Sequence, residues 1–110
     1  MLPETERHVE RLRNTVKAAK SKLAEARTLL GDNDDKYVSG LIRQATFWLD
    51  DVENFFIAML AKDDVPPRTL AQESMITSHA DFHLNQITLP LVKNIHDLAT
   101  RYGPNFESIG

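Results

Sequence analysis

Apolar residues in the first thirty positions of the chain recur at alternating steps of three and four. This spacing predicts a helix of roughly seven turns with a narrow apolar seam along one side. Such a seam is only two positions wide in every seven, so the helix must pack against other helices, in the same chain or in a second copy. The seam residues are Val9, Leu12, Val16, Ala19, Leu23, Ala26 and Leu30.

Local signals set the ends of this first helix. It is expected to begin between Pro3 and Thr5, because proline fits a first helical turn, and to end at Gly31, because glycine is the usual left-handed cap. Residues 32–35 supply turn residues and an N-cap for the next helix. The first two helices are therefore predicted to form a hairpin.

A second helix is predicted over residues 35–61, with a broader apolar face that suits a central helix with two or more neighbours. Replacing Trp48 or Phe55 with alanine is predicted to cost about 3–5 kcal/mol. The face comprises Val38, Leu41, Ile42, Ala45, Trp48, Leu49, Val52, Phe55, Phe56, Met59 and Leu60. Outside this face lie Gly40, Phe47, Ile57, Ala58 and Ala61.

A third helix is predicted after Pro66 and Pro67, which end the second one. Thr69 and Gln72 match a capping box, and apolar residues then continue at helical spacing as far as Tyr102. The predicted core face is Ile76, Ala80, Leu84, Ile87, Leu91, Ile95, Leu98 and Tyr102.

Pro90 lies inside this third helix, where proline removes a hydrogen bond and clashes with an earlier carbonyl. A kink or a break is expected near residues 86–89, with Thr88 able to cap a restarted helix. We therefore expect an all-α, antiparallel three-helix bundle, or four helices if Pro90 breaks the last one. Residues 1–104 form one domain in this interpretation, and residues 105–110 form an irregular tail.

The third helix also carries a second set of positions spaced seven apart and directed away from its core face. These are Met75, Phe82, Leu89 and His96. Together with Phe47 they predict an interface with another copy, because soluble monomers generally avoid exposed apolar patches. A chain of 110 residues has a small core, so dimerisation would add buried area. Alternatively, the distortion at Pro90 rotates the two halves apart, or the tail covers Phe82 and Leu89.

His79 and His83 are four residues apart, the spacing by which one helix offers two imidazoles to a metal ion. The sequence places no third ligand beside them. Alternatively, both histidines flank the core and form hydrogen bonds with facing polar groups. Residues 32–43 lack the glycine and the glutamate of a calcium loop. No phosphate-binding loop, zinc-protease motif or nucleophile elbow is present, so we expect a non-enzymatic protein without a cofactor.

Charge is divided unevenly along the chain. Residues 1–31 hold seven basic and four acidic residues, a net charge of +3, and the remainder carries −6. The basic residues could contact nucleic acid, but they spread around the first helix among glutamates, and no aromatic residue lies between them for base stacking. Nucleic-acid binding is therefore a lesser alternative.

The chain contains no cysteine, no secretion signal at its amino terminus and no run long enough to span a membrane. A cytoplasmic location is expected. The sequence as a whole predicts a small adaptor, regulatory or assembly protein that binds other proteins and pairs with itself, with a dimer favoured. A bundle that holds a metal ion or small ligand near His79 and His83 is the alternative.

Overall fold

A computed structural model describes residues 2–31, 35–62 and 67–103, and the described chain forms three long helices. The first is an uninterrupted α-helix, whereas the second and third each contain one π-helical segment. The elements are α1 (Pro3–Leu30), α2 (Lys36–Asp51), the first π segment (Val52–Ile57), α3 (Ala58–Ala61), α4 (Leu70–Phe82), the second π segment (His83–Thr88) and α5 (Leu89–Tyr102). The predicted all-helical fold is confirmed.

The three long helices form a narrow rod of 55 × 19 × 19 Å. α1 packs along α4 and α5, and the second long helix packs against both of its neighbours. The ends of α1 and α5 lie side by side, since the carbonyl oxygen of Leu29 is 3.6 Å from the position that a Cβ on Gly103 would occupy. The first and third long helices are therefore parallel, and the second runs in the opposite direction.

The helix ends follow the sequence signals. α1 begins at Pro3 and ends before Gly31, whose φ of 61° is accessible to glycine without strain. The Asp35 side chain accepts hydrogen bonds from two amides at the start of α2. Thr69 and Gln72 form the predicted capping box at the start of α4.

The seam of α1 is confirmed at every position. All seven residues are at most 5% exposed, and they line the core that the other two long helices complete. Alternating steps of three and four residues predict the buried positions correctly here because α1 contains no π-helical turn.

The first π segment changes which residues of the second long helix reach the core. Val52 and Ile57 are both buried although they are five residues apart, the spacing of a π turn. Phe55 was expected in the core and is 53% exposed, while Ile57 was expected outside it and is 2% exposed. Both predictions are wrong for the same reason, because the wider turn delays the rotation of the helix after Val52.

Pro90 neither breaks the third long helix nor starts a new one. The distortion it requires takes the form of the second π segment, in which the Leu89 amide donates to the Leu84 carbonyl five residues back. Thr88 keeps helical backbone angles and its side chain caps nothing. The four-helix alternative is therefore wrong.

The buried face of the third long helix is made of partly different residues from those predicted. Ala80, Leu84 and Ile95 are buried, whereas Ile87 is only partly buried. The other predicted residues are also partly buried and pack against the core. The other buried positions of this helix are Glu73, Thr77, Thr88, Val92 and Ala99. Three of these five are polar, so an apolar pattern could not identify them.

Some expectations concern residues outside the described part of the chain: the turn at 32–34, the break at 63–66 and the tail at 105–110. Within the described ranges, none of the helices combines the length and the apolar character that crossing a membrane requires.

Candidate functional site

Four rings form a contiguous group between the second and third long helices, and we call Trp48, Phe55, Phe56 and His83 the aromatic cluster. The His83 ring meets Trp48 edge-on, with centroids 5.5 Å apart, and lies 6.0 Å from Phe56. Phe56 in turn meets Phe55 edge-on at 5.2 Å. These edge-to-face arrangements are the favoured geometry for aromatic pairs.

The two π segments position this cluster. Phe55 and Phe56 belong to the first π segment, and His83 is the first residue of the second. Phe56 packs against the core, whereas Phe55 is more than half exposed. The cluster therefore runs from the interior to the outer surface of the second long helix. π turns inside α-helices occur frequently at functional sites.

His83 has two polar partners. Its Nδ1 lies 3.1 Å from the Thr88 hydroxyl, and its Nε2 lies 3.8 Å from the Asp51 carboxylate on α2. A carboxylate, an imidazole and a hydroxyl in this order resemble the parts of a nucleophilic triad. Thr88 is 0% exposed, so its hydroxyl cannot meet a substrate, and the arrangement orients the imidazole within the bundle.

His79, the other half of the predicted metal pair, is exposed and lies outside the aromatic cluster. Among residues 2–31, 35–62 and 67–103, no three histidine or acidic side chains converge in a way that could hold a metal ion. The structure thus places His79 and His83 in different surroundings, His79 at an exposed position and His83 beside the Asp51 carboxylate.

The residues predicted to form an interface fall into two groups. Phe47, Met75 and Phe82 are 60–64% exposed. Leu89 packs partly against the core, and the His96 side chain is 19% exposed with its Nε2 3.3 Å from the Glu25 carboxylate of α1. The second π segment separates Phe82 from Leu89, so the spacing of seven residues does not produce one continuous exposed stripe.

Exposed apolar side chains are concentrated on two of the three helices. Within the described residues, every large apolar side chain that is more than half exposed belongs to the second or third long helix. Most outward positions of α1 carry charged residues instead, although Leu29 is 40% exposed. We call Phe47, Phe55, Met75 and Phe82 the apolar outer surface. The sequence pattern did not predict that Phe55 is exposed. Its exposure follows from the five-residue step between the buried residues Val52 and Ile57.

A buried polar cluster at one end of the bundle was not predicted. Glu73 accepts a hydrogen bond from the Leu2 amide at 3.2 Å and another from the Thr5 hydroxyl, and lies 3.5 Å from the Arg68 Nε. Burial alone would raise the pKa of Glu73, but the two hydrogen bonds and the Arg68 charge outweigh it and lower the pKa. Arg68 also donates to the Leu60 and Lys62 carbonyls.

Comparison with protein-family models, with curated proteins and with solved structures gave no match to this chain.

Proposed function

We propose that this protein is a non-enzymatic protein-binding module that pairs with itself through the apolar outer surface. The supporting observation is the distribution of exposed apolar side chains. Phe47, Phe55, Met75 and Phe82 are 53–64% exposed on the second and third long helices, while the outward face of α1 is mostly charged. Two of the three long helices thus offer large exposed apolar side chains to a protein partner, whereas α1 offers mainly charged ones.

A second copy is the partner that this surface suits first. Two-fold symmetry brings the same surface from both copies together, so one apolar surface supplies both halves of the contact. Covering the rings would stabilise the pair by about 25 cal/mol for each Å² of apolar area removed from water. A rod only 19 Å across has a thin core, and pairing thickens it. The cysteine-free composition suits such a role in the cytoplasm.

The mass of the protein in solution tests this function. Phe47→Asp and Phe82→Asp each place a carboxylate in the apolar outer surface and are expected to give monomers, while the parent protein is a dimer by light scattering. Asn14→Asp adds the same charge at an exposed position of α1 and is expected to remain a dimer. Circular dichroism of each variant shows whether the helices are retained.

A parent protein that is monomeric at every concentration tested would contradict self-association. Native mass spectrometry of protein purified without chelator separates the alternative function. Stoichiometric metal that is lost in His79→Ala and His83→Ala would support a metal-binding bundle instead.

A further inference from the structure

A groove of about 690 Å³ runs between α1 and the second long helix, beside the first π segment. Its lining residues are Arg13, Lys17, Lys20, Ser21 and Ala24 from α1, and Glu53, Ile57 and Ala58 from the facing helix. Basic side chains thus dominate the α1 wall, and the facing wall is acidic at one end and apolar at the other.

Short side chains line the groove beside the π turn. Ile57 is drawn into the core by the five-residue step from Val52, and Ala58 follows it on the facing wall. The methyl group of Ala58 lines the groove at a point where a longer side chain would fill it. Ala24 lines the groove with an equally short side chain from α1.

Lys20 shows how a carboxylate binds in this groove. Its Nζ lies 3.0 Å from Glu53 and 3.5 Å from Asp50, both on the facing helix. The hydrogen bond to Glu53 raises the pKa of Lys20, and the nearby charges of both carboxylates add to the effect, against the opposing effect of burial. The cation and the two acids stabilise one another across the groove.

Arg13 and Lys17 differ from Lys20 in having no acidic partner among the described residues. Both are exposed, and no carboxylate of the described residues lies within ion-pair distance of either. The facing wall offers them Ile57 and Ala58 rather than an acid. Half of the groove is therefore neutralised by the chain's own carboxylates, and the other half retains two positive charges above an apolar base.

We infer that this groove binds an acidic helical segment of a partner protein, whose carboxylates pair with Arg13 and Lys17. These two residues are four apart and lie on adjacent turns of α1, about 5–6 Å from each other. Acidic residues on adjacent turns of another helix have the same spacing. The short side chain of Ala58, on the wall that faces Arg13 and Lys17, leaves room for a small apolar residue beside those acids.

A nucleic acid fits this groove less well. Glu53 stands on its facing wall, and none of its lining residues is aromatic, so phosphates would meet a carboxylate and bases would find no ring to stack on. The groove also lies on a different side of α1 from the contacts with α4 and α5, and it shares no residue with the apolar outer surface. The inference therefore goes beyond self-association and does not depend on it.

Fluorescence anisotropy with a labelled alanine-based helical peptide that carries glutamate on every turn tests the inference. We expect saturable binding at low ionic strength, and Arg13→Glu and Lys17→Glu should each weaken it about three- to tenfold. Lys22→Glu makes the same charge change at an exposed position of α1, and is expected to change the affinity less than about twofold because Lys22 does not line the groove. Ala58→Leu fills the groove without changing the charge and should also weaken binding.

Three results would overturn the assignment: no saturable binding of the glutamate peptide, equal losses in Lys22→Glu and Lys17→Glu, or tighter binding of an oligothymidylate than of the peptide. A matched peptide with lysine in place of glutamate should not bind. Phe82→Asp should keep its peptide affinity whatever its oligomeric state, so failure of this inference is distinguishable from failure of the proposed self-association.

Discussion

The Glu73 carboxylate lies 3.5 Å from the Arg68 guanidinium, although the two side chains are only 3% and 10% exposed. Glu73 stands near the first turns of α1 and α4, whose amide ends favour a negative charge. Arg68 meets carbonyls at the end of the second long helix, which favours a positive charge. One ion pair therefore joins three helix ends.

Removing this acid should destabilise the bundle strongly. Glu73→Ala leaves the Arg68 charge, the Leu2 amide and the Thr5 hydroxyl without their shared acceptor, and the expected loss in the free energy of unfolding is about 3–5 kcal/mol. Glu73→Gln keeps a neutral acceptor and should lose less. Urea unfolding followed by circular dichroism measures both, and equal losses would show that the charge of Glu73 contributes nothing.

The lowered pKa of Glu73 predicts how stability changes with pH. A carboxylate whose pKa is lower in the folded state than in the unfolded state stabilises the fold at pH values above its unfolded-state pKa. This contribution is lost as the pH falls through the folded-state pKa. The free energy of unfolding should therefore fall on acidification below the ordinary value of 4.5. Glu73→Gln should flatten this part of the curve, and an unchanged slope would contradict the assignment.

The register of the first π segment can be tested with two alanine substitutions. Ile57→Ala empties a fully packed position and should cost about 2–5 kcal/mol. Phe55→Ala removes a half-exposed ring with one edge contact and should cost about 1 kcal/mol or less. Urea unfolding at a concentration where the protein is monomeric separates folding from assembly. A larger loss for Phe55 than for Ile57 would indicate an ordinary α-helix at this point.

Two glycines should respond in opposite directions to alanine. Gly40 lies inside α2, and an added Cβ would meet open space, so Gly40→Ala should stabilise the protein by about 0.5–1 kcal/mol. Gly31 has a φ of 61°, so Gly31→Ala should destabilise it by about 1–3 kcal/mol. Thermal unfolding of both variants checks the pair, and a lower melting temperature for Gly40→Ala would mean that the space beside it is occupied.

The two histidines that are four apart should behave differently. His83→Ala removes packing against Trp48 and Phe56 and deprives the Thr88 hydroxyl of its imidazole partner, at an expected cost of about 2–3 kcal/mol. His79→Ala changes an exposed side chain and should stay within about 0.5 kcal/mol of the parent. The fluorescence of Trp48, the only tryptophan, follows unfolding in both. Equal losses in the free energy of unfolding would mean that His79 makes a stabilising contact despite its exposure.

Sequence periodicity identified α1 completely because its apolar residues follow one uninterrupted repeat and its ends carry proline and glycine signals. The same reasoning failed after Val52. A strict α-helical wheel puts Phe55 inside and Ile57 outside, and two adjacent phenylalanines give no sign of which one packs. Only the contact with the third long helix decides that Phe56 turns inward.

The Glu73 cluster lay beyond any local pattern. Leu2 and Thr5 are about seventy residues from Glu73 in the chain, and the up-down-up topology alone brings them together. Periodicity also treats a glutamate on a helix as a solvent-facing residue, because a buried carboxylate is tolerated only with partners that the sequence does not display. The exposure of Phe47 and Phe82 was predictable, since both lie opposite a core face on an ordinary helical wheel.

Each π turn holds about one residue more than the α-helical turn that it replaces. A chain with the same three-helix core and regular helices throughout would therefore be one residue shorter in the second long helix and one residue shorter in the third. An alignment with such a chain would need its single-residue gaps inside residues 52–57 and 83–88, in the middle of helices. Gaps placed in the loops before the second and third long helices would instead shift the buried residues Leu49 and Ala80 by one position.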